Sequence, residues 1–371
     1  MKQTRRRRHI AIFFLLSGTA ACPAPSSAAT PSSEVVELGR ALFDEPGLSR
    51  DGTTSCHSCH DPTHAYASTD AQPIGVDGRR GIRNAPSLLD VAERPLLFWD
   101  GRRSVLDAAV LDPLLHPVEM GWSNASDLTE HLRGRPEILR RFETAFPDTQ
   151  IWATSDQISA ALVAFLRTLK TGSSEFDRAR ESHALLPPEA EYGKRLFSGV
   201  AQCSQCHTLD EDHSSLTDDQ FHHSNIGNVT QAETLPGLVA TVARTHQDQS
   251  QWRYKILTDS QWSSLGRFVV SLRPADIGAF RTPSLRNVAV TTPYMHDGSI
   301  ATLSEAVDHE IYYRGFSNGR PVNLSGAERR ALVAFLETLT DADYATSGLP
   351  ERSPYPHSSH TTTQGSTATG P

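Results

Sequence analysis

Two short stretches of the chain contain a pair of cysteines, separated by two residues, with a histidine directly after the second cysteine. Cysteines at this spacing bind the vinyl groups of a porphyrin as thioethers, and the histidine then lies under the iron as its proximal ligand. A redox dithiol or half of a zinc site would leave both histidines unexplained. The sequence therefore predicts two covalently bound c-type haems. The predicted attachment residues and iron ligands are Cys56, Cys59 and His60 for the first haem, and Cys203, Cys206 and His207 for the second.

The N-terminus has the order of a secretory signal, with four arginines at 5–8 before an apolar run at 10–16. This run is too short to span a bilayer. Attachment of c-type haem takes place outside the bacterial cytoplasm, so the signal and the two motifs support each other. Either a signal peptidase cleaves near residues 28–29, or Cys22 becomes a lipid-anchored first residue. We expect a periplasmic protein with residues 1–29 as its signal peptide.

The acidic balance of the chain limits its partners. The formal net charge is −8, and five basic residues precede the first acidic residue, Glu34, so the remainder carries about −13. Such a charge argues against nucleic acid and suits docking to a basic redox protein, such as a small cytochrome or a cupredoxin. Four of the five cysteines belong to the haem motifs, so we expect no disulfides in the fold.

Two segments of the chain occur twice. Residues 39–43 (GRALF) precede the first haem motif, as residues 193–197 (GKRLF) precede the second. Later, residues 161–169 (ALVAFLRTL) match residues 331–339 (ALVAFLETL) almost letter for letter. Each half is thus predicted to run from an opening helix through haem attachment and a long irregular middle to a closing helix.

The closing helices have apolar residues at helical spacing and begin with capping boxes, Thr154 with Gln157 and Ser325 with Glu328. Alternating runs typical of strands are scarce. We therefore predict a mainly α fold of two tandem cytochrome c-like domains, each with one covalent c-type haem, and long connecting loops. The predicted boundaries are 34–175 for the N-terminal domain, 184–342 for the C-terminal domain, with a linker at 173–188, and 346–371 for a disordered tail.

The sixth ligand of each iron separates an electron carrier from an enzyme. A carrier needs strong ligands on both faces of the iron, whereas a peroxidase needs one open face with an acid–base group above it. Met120 and Met295 each lie between the haem motif and the closing helix of their half. A non-catalytic di-haem electron-transfer cytochrome is therefore one alternative.

Four blocks of sequence resemble the bacterial di-haem cytochrome c peroxidase and MauG superfamily. They are FWDGR at 98–102, PLLHPVEMG at 113–121, RTPSLRN at 281–287 and PYMHDG at 293–298, and the resemblance runs from about residue 34 to 340. It implies an open peroxidatic haem held by His60 and a six-coordinate electron-transfer haem held by His207. It also implies that Glu119 is the distal catalytic carboxylate and that Trp99 carries electrons between the haems. A carboxylate over an open iron can take a proton from one peroxide oxygen and return it to the other.

The resemblance also implies a calcium ion between the domains. Asn84, Thr291 and Pro293 match the positions that bind it in the family. One side-chain amide and backbone carbonyls, completed by waters, suit this hard cation. Alternatively, Asn84 caps a turn.

The sequence departs from the family where the sixth ligand of the second haem is expected. That ligand, methionine in the peroxidases and tyrosine in MauG, falls fourteen residues past the histidine that matches His296. Here the position is Glu310, which lies on an apolar stripe of a predicted helix opened by Thr302 and Glu305. A carboxylate on such a stripe needs a cation or a strong donor. Glu310 is therefore the leading candidate, and the rivals are His309, Tyr312 and Tyr313.

Several other histidines receive no catalytic role. We interpret His116 as structural, and His222 and His223 as loop residues that do not form a metal site. His64 lies too near the first motif to be assigned as a cap on the first haem, so that haem is expected to be open from the start.

These observations predict a di-haem c-type peroxidase that reduces hydrogen peroxide to water with electrons from a small redox protein. If Glu310 binds the second iron, its hard anionic oxygen lowers the reduction potential of that haem. That change leaves open MauG-like peroxide-dependent oxidation of a protein or peptide.

Overall fold

We describe a computed structural model of the chain, which defines residues 31–209, 215–227, 233–317, 319 and 321–345. The predicted signal peptide and C-terminal tail lie outside these residues. The α-helices are, in chain order, α1 (Ser33–Asp44), α2 (Leu106–Ala109), α3 (Leu111–Leu114), α4 (Ala125–Arg133), α5 (Pro136–Ala145), α6 (Ser155–Leu166), α7 (Glu175–Glu181), α8 (Pro188–Ser198), α9 (Leu235–Thr245), α10 (Gln249–Thr258), α11 (Ser260–Ser264), α12 (Phe268–Ser271), α13 (Leu303–Ser317), α14 (Gly326–Glu337) and α15 (Ala342–Ala345).

Among the described residues, the strands form one short antiparallel pair, β1 (Phe221–His223) and β2 (Ala279–Arg281), in which Phe221 lies opposite Arg281. The prediction of a mainly α fold is confirmed. Among the described helices, none has the length and apolar character needed to cross a membrane.

The opening and closing helices of each half pack against each other in the same way. A Cβ atom on Gly39 of α1 would overlap the carbonyl oxygen of Ala161 in α6, and one on Gly193 of α8 would overlap that of Ala331 in α14. Glycine is therefore the residue that lets the two backbones approach. The ring centroids of Phe43 and Phe165 are 5.2 Å apart, and those of Phe197 and Phe335 are 5.1 Å apart. The repeated sequence thus builds a repeated helix crossing.

Capping boxes start both closing helices, as predicted. The Thr154 hydroxyl accepts from the backbone N–H of Gln157, whose side chain accepts from the N–H of Thr154. Ser325 and Glu328 make the same two bonds at the start of α14. These bonds satisfy backbone donors that the first turn of a helix leaves without a helical partner.

The predicted linker at 173–188 contains α7 and packs on the second half. Ser174 and Asp177 form a capping box at its start. Phe176 lies 5.9 Å from Phe335, centroid to centroid, and the backbone N–H of Ser173 donates to Asp341 at 2.7 Å. A capping box and one aromatic contact therefore stabilise a helix, α7, within the predicted linker.

Three apolar clusters form the core of the described residues. One surrounds α1 and α6, and a second surrounds α8 and α14. The third packs α9 to α12 around Trp252 and Trp262, which are 5% and 3% exposed. The middle of the second half thus has a small core of its own.

Candidate active site

The two Cys-x-x-Cys-His motifs form the same turn. The N–H of His60 donates to the carbonyl of Cys56 at 2.9 Å, and that of His207 to the carbonyl of Cys203 at 3.0 Å. The ring Nδ1–H of His60 donates to the carbonyl of Tyr66 at 3.1 Å, and that of His207 to Leu216 at 3.0 Å. Because a carbonyl can only accept, each ring keeps its lone pair on Nε2, the atom that an iron ligand must present.

A joined cavity of about 490 Å³ lies against both motifs. Its wall includes all six predicted attachment and ligand residues, together with apolar residues of α6 and α14 such as Leu162, Leu166, Leu332 and Leu336. Burial lowers the pKa of His60 to about 4, so this ring is neutral at physiological pH, as metal binding requires. The apolar walls, the paired thiols and the oriented imidazoles fit two haem groups.

Glu119 lies on the cavity wall of the first half, in the loop between α3 and α4. Its backbone is fixed on both sides, because its N–H donates to the carbonyl of His116 at 3.2 Å and its carbonyl accepts from Val76 at 2.9 Å. Its side chain is 36% exposed. Loss of hydration among the surrounding protein atoms raises the pKa of this partly exposed carboxyl group to about 7, and Arg102 opposes the rise. A carboxyl group that titrates near neutrality can both accept and donate a proton.

A buried ion cluster lies behind this wall. Asp100 is fully buried and accepts from Arg83 at 2.5 Å and from Arg102 at 3.1 Å. Burial alone would raise the pKa of Asp100, but the two guanidinium groups lower it. Arg83 also donates to the Ser263 hydroxyl at 2.9 Å, which ties the first half to α11. The cluster holds the 98–102 segment in place.

Trp99 lies between the halves. Its indole N–H donates to the carbonyl of Asn84 at 2.9 Å, and the N–H of Asn84 donates to the carbonyl of His296 at 2.9 Å. The Trp99 carbonyl accepts from the N–H of Arg281 at 2.8 Å. The structure therefore brings Trp99, Asn84 and His296 together on the shared cavity wall.

Of the four candidates for the sixth ligand of the second haem, Glu310 is the one on the cavity wall. His309 donates from Nε2 to the carbonyl of Ser224 at 2.8 Å, and the centroids of its ring and the Tyr313 ring are 4.5 Å apart. Tyr312 is 67% exposed. The capping box of Thr302 and Glu305, with bonds of 3.0 and 3.2 Å, opens α13 as predicted.

The predicted calcium ligands also share the cavity wall. Asn84, Thr291 and Pro293 all line it, and the Asn84 amide lies 3.2 Å from the carbonyl of Asp70. His64 does not line the cavity; its Nε2 donates to the carbonyl of Thr292 at 2.6 Å. A histidine next to the first motif is thus held by the second half.

The interpretation of His222 and His223 as loop residues was wrong, because both belong to β1. His222 contacts Asp218 at 2.8 Å, and these two lie close enough to Cys206 for a metal ion. The sequence prediction assigns Cys206 to haem attachment, which would take this thiol out of the cluster. A three-residue strand is too short to leave a periodic signal in the sequence.

Sequence reasoning also missed a second repeated feature. Residues 97–103 and 294–300 each close a loop with one antiparallel bridge, Leu97 to Arg103 and Tyr294 to Ile300. Residues with left-handed backbones also lie at equivalent positions of the two loops. Phe98 and Met295 have φ of 67° and 74°, and Gly101 and Gly298 have φ of 64° and 67°. Trp99 and His296 therefore occupy equivalent positions. The shared Asp-Gly pair, at 100–101 and 297–298, was the available signal.

The chain resembles characterised proteins over most of its length. Residues 33–184 match the family model described as di-haem cytochrome c peroxidase. The chain is 32% identical to the methylamine utilization protein MauG of Methylorubrum extorquens, over 88% of this chain and 84% of that protein. It is 31% identical to the cytochrome c551 peroxidase of Nitrosomonas europaea, over 85% and 83% of the two chains.

Two solved structures have a fold similar to that of this chain. A MauG-like protein associated with microbial copper homeostasis superposes with a TM-score of 0.70 at 28% identity, covering 89% of this chain and 96% of that one. The diheme peroxidase BthA of Burkholderia thailandensis superposes with a TM-score of 0.66 at 26% identity, covering 86% and 89%. The similarity thus includes both halves of the chain.

Proposed function

The chain belongs to the di-haem cytochrome c peroxidase family, and from this membership we propose that it is an oxidoreductase that reduces hydrogen peroxide to water. The observation that carries the proposal is Glu119, a carboxyl group with a pKa raised to about 7, on the wall of the cavity that His60 also lines. Reduction of one peroxide consumes two electrons and two protons and yields two waters. The site must therefore move protons as well as electrons.

The residues that would hold the haems are the two cysteine pairs and the two histidines. Cys56 and Cys59, and Cys203 and Cys206, would form the thioethers, with His60 and His207 as proximal ligands. When bound, the haems supply the electron storage and transfer that the amino acids lack. Two covalent haems predict that the mass of the denatured protein exceeds that of the processed chain by two haem groups.

Glu119 performs the acid–base part of the reaction. Its carboxylate accepts a proton from one oxygen of peroxide and donates it to the other oxygen, which leaves as water. The base form is present above its pKa of about 7, so the rate of peroxide cleavage is expected to rise with pH through neutrality. His64 is bonded to Thr292 and lies off the cavity wall, which supports a first haem that is open at rest.

Trp99 connects the two haem sites. Its indole N–H bond to Asn84 and its carbonyl bond to Arg281 hold it where the halves meet. We assign it the transfer of electrons from the second haem to the first. The acidic surface of the chain suits a basic donor, such as a small cytochrome or a cupredoxin. The protein would work in the periplasm, with calcium at Asn84, Thr291 and Pro293 stabilising the contact between the halves.

Glu310 would bind the second iron. Its place on the cavity wall supports it over His309, Tyr312 and Tyr313. The variant Glu310→Gln removes an anionic ligand, so the potential of the second haem should rise and its spectrum should change. His309→Gln is the matched control and should leave both unchanged. An unchanged potential in Glu310→Gln would remove this residue from the iron.

The spectrum of the ferric protein, with and without stoichiometric peroxide, tests the proposed function. We expect a high-spin component that reacts with peroxide, and a rate that falls by roughly 10²–10⁴-fold in Glu119→Gln. Two low-spin haems that ignore peroxide would instead support the electron carrier. A donor-free turnover that modifies an added protein would favour MauG-like oxidation.

A further inference from the structure

A second titratable side chain stands next to Glu119. His116 is 7% exposed, and its Nδ1 lies 3.8 Å from Glu119 Oε2. The backbone N–H of Val118 donates to this Nδ1 at 3.3 Å. Because that bond requires a lone pair on Nδ1, the neutral ring carries its proton on Nε2. Nδ1 is thus an acceptor, and because the bond from Val118 is long, a donor on Glu119 can share its single lone pair with this N–H.

The far side of the ring is held by the second half. Its plane lies 22° from that of Tyr254, with the centroids 6.1 Å apart, and Tyr254 is 44% exposed. Nε2 is close to the backbone of Arg253 and Tyr254, but among the described residues it makes no hydrogen bond of acceptable geometry. Packing against α10 and the bond from Val118 to Nδ1 therefore set the orientation of the ring.

The charges around His116 keep it neutral. Burial lowers its pKa to about 4, Arg102 adds to this effect, and Asp112 opposes it. Asp112 is itself paired, with Arg103 at 2.6 Å and with Arg253 at 3.7 Å. Glu119 remains the carboxyl group beside Nδ1. At neutral pH the pair thus consists of an acceptor ring and a carboxyl group that is partly protonated.

We propose that His116 positions Glu119 by accepting a hydrogen bond from its protonated carboxyl group at Nδ1. A shift of roughly 1 Å shortens the 3.8 Å separation to a hydrogen bond; catalytic bonds are often long before the substrate binds. The ionised carboxylate takes the proton from peroxide, and Nδ1 then holds the protonated form in place. Glu119 then gives the same proton to the leaving oxygen and returns to the ionised form, while His116 stays neutral throughout. No proton is gained or lost by the pair.

This inference rests on the proposed function and is tested in the haem-loaded protein with His116→Gln. A carboxamide can donate to the ionised carboxylate, so Glu119 should titrate on the order of one pH unit lower. Two measurements report the pH at which Glu119 titrates. One is the pH profile of the rate constant for the reaction with peroxide, and the other is infrared titration of the Glu119 carboxyl band without peroxide. Tyr254→Phe keeps the stacked ring and should leave both curves in place.

The outcomes separate the two proposals. His116→Gln with the wild-type inflection in both measurements would overturn the positioning role; His116→Asn, with the same expected direction, serves if the first variant does not fold. Glu119→Gln should lack the infrared band and the kinetic inflection. If the kinetic inflection persists in Glu119→Gln, the assignment of Glu119 in the proposed function fails, whatever His116 does.

Discussion

In the first half, His60 donates from Nδ1 to the carbonyl of Tyr66 at 3.1 Å; in the second half, His207 donates to the carbonyl of Leu216 at 3.0 Å. Both accepting residues have left-handed backbones, with φ of 56° and 53°. The helix crossings at Gly39 and Gly193 coincide as well. The duplicated fold therefore holds the two predicted proximal histidines in the same geometry.

The side chains at equivalent positions of the two loops, residues 97–103 and 294–300, differ between the halves. Trp99 in the first half is replaced by His296, and Arg102 by Ser299. The first half places its carboxylate, Glu119, on a loop fixed by backbone bonds, whereas the second half places Glu310 on α13. The proposed division of tasks between two haems requires such a difference, because the distal side of a haem decides between ligand binding and electron transfer.

The largest expected difference between the halves is at Asp100 and its equivalent, Asp297. Both side chains accept from the backbone N–H two residues later, at 3.1 and 3.0 Å. Only Asp100 also meets Arg83 and Arg102, and it is fully buried. Asp100→Asn leaves buried guanidinium groups without their anion and should lower the free energy of unfolding by about 3–5 kcal/mol. Asp297→Asn should cost less than about 1 kcal/mol.

Urea unfolding followed by circular dichroism measures both variants. Equal losses would show that the ion cluster does not distinguish the two loops. If Asp297→Asn lost more unfolding free energy than Asp100→Asn, the loop of the second half would depend more on its aspartate than the loop of the first half.

The second prediction concerns the helix crossings at Gly39 and Gly193, where a substitution should cost the same stability in both halves. Gly39→Ala and Gly193→Ala place a methyl group against a helix backbone, so each should cost about 3 kcal/mol, near the upper end of the usual range for overpacking. Gly237→Ala in α9 is the matched control, since its Cβ would meet nothing within 4 Å. That variant should be neutral or stabilising by up to about 1 kcal/mol. A strongly unequal pair of losses would mean that only one crossing depends on close backbone approach.

Local features were predictable from the sequence, whereas contacts between distant segments were not. The haem turns, the repeat and the three capping boxes are encoded within a few residues, so their patterns could be read directly. The bond from His64 to Thr292 joins residues far apart in the chain, and no local pattern marks it. The same holds for the contact of His116 with Tyr254, and for β1, whose three residues need β2 to form a sheet.

The smallest effects test whether the two closing helices start equally well. Thr154→Ala and Ser325→Ala each remove a hydroxyl that accepts from the third backbone N–H of its helix, at 3.2 and 3.3 Å. Each should lower the free energy of unfolding by about 1 kcal/mol. Ser32→Ala is the control, because Ser32 precedes α1 without a side-chain capping bond, and its effect should stay within about 0.5 kcal/mol. If one cap costs nothing while the other costs the expected amount, the sequence repeat at the closing helices would not be an energetic repeat, and the symmetry of the halves would end at their backbones.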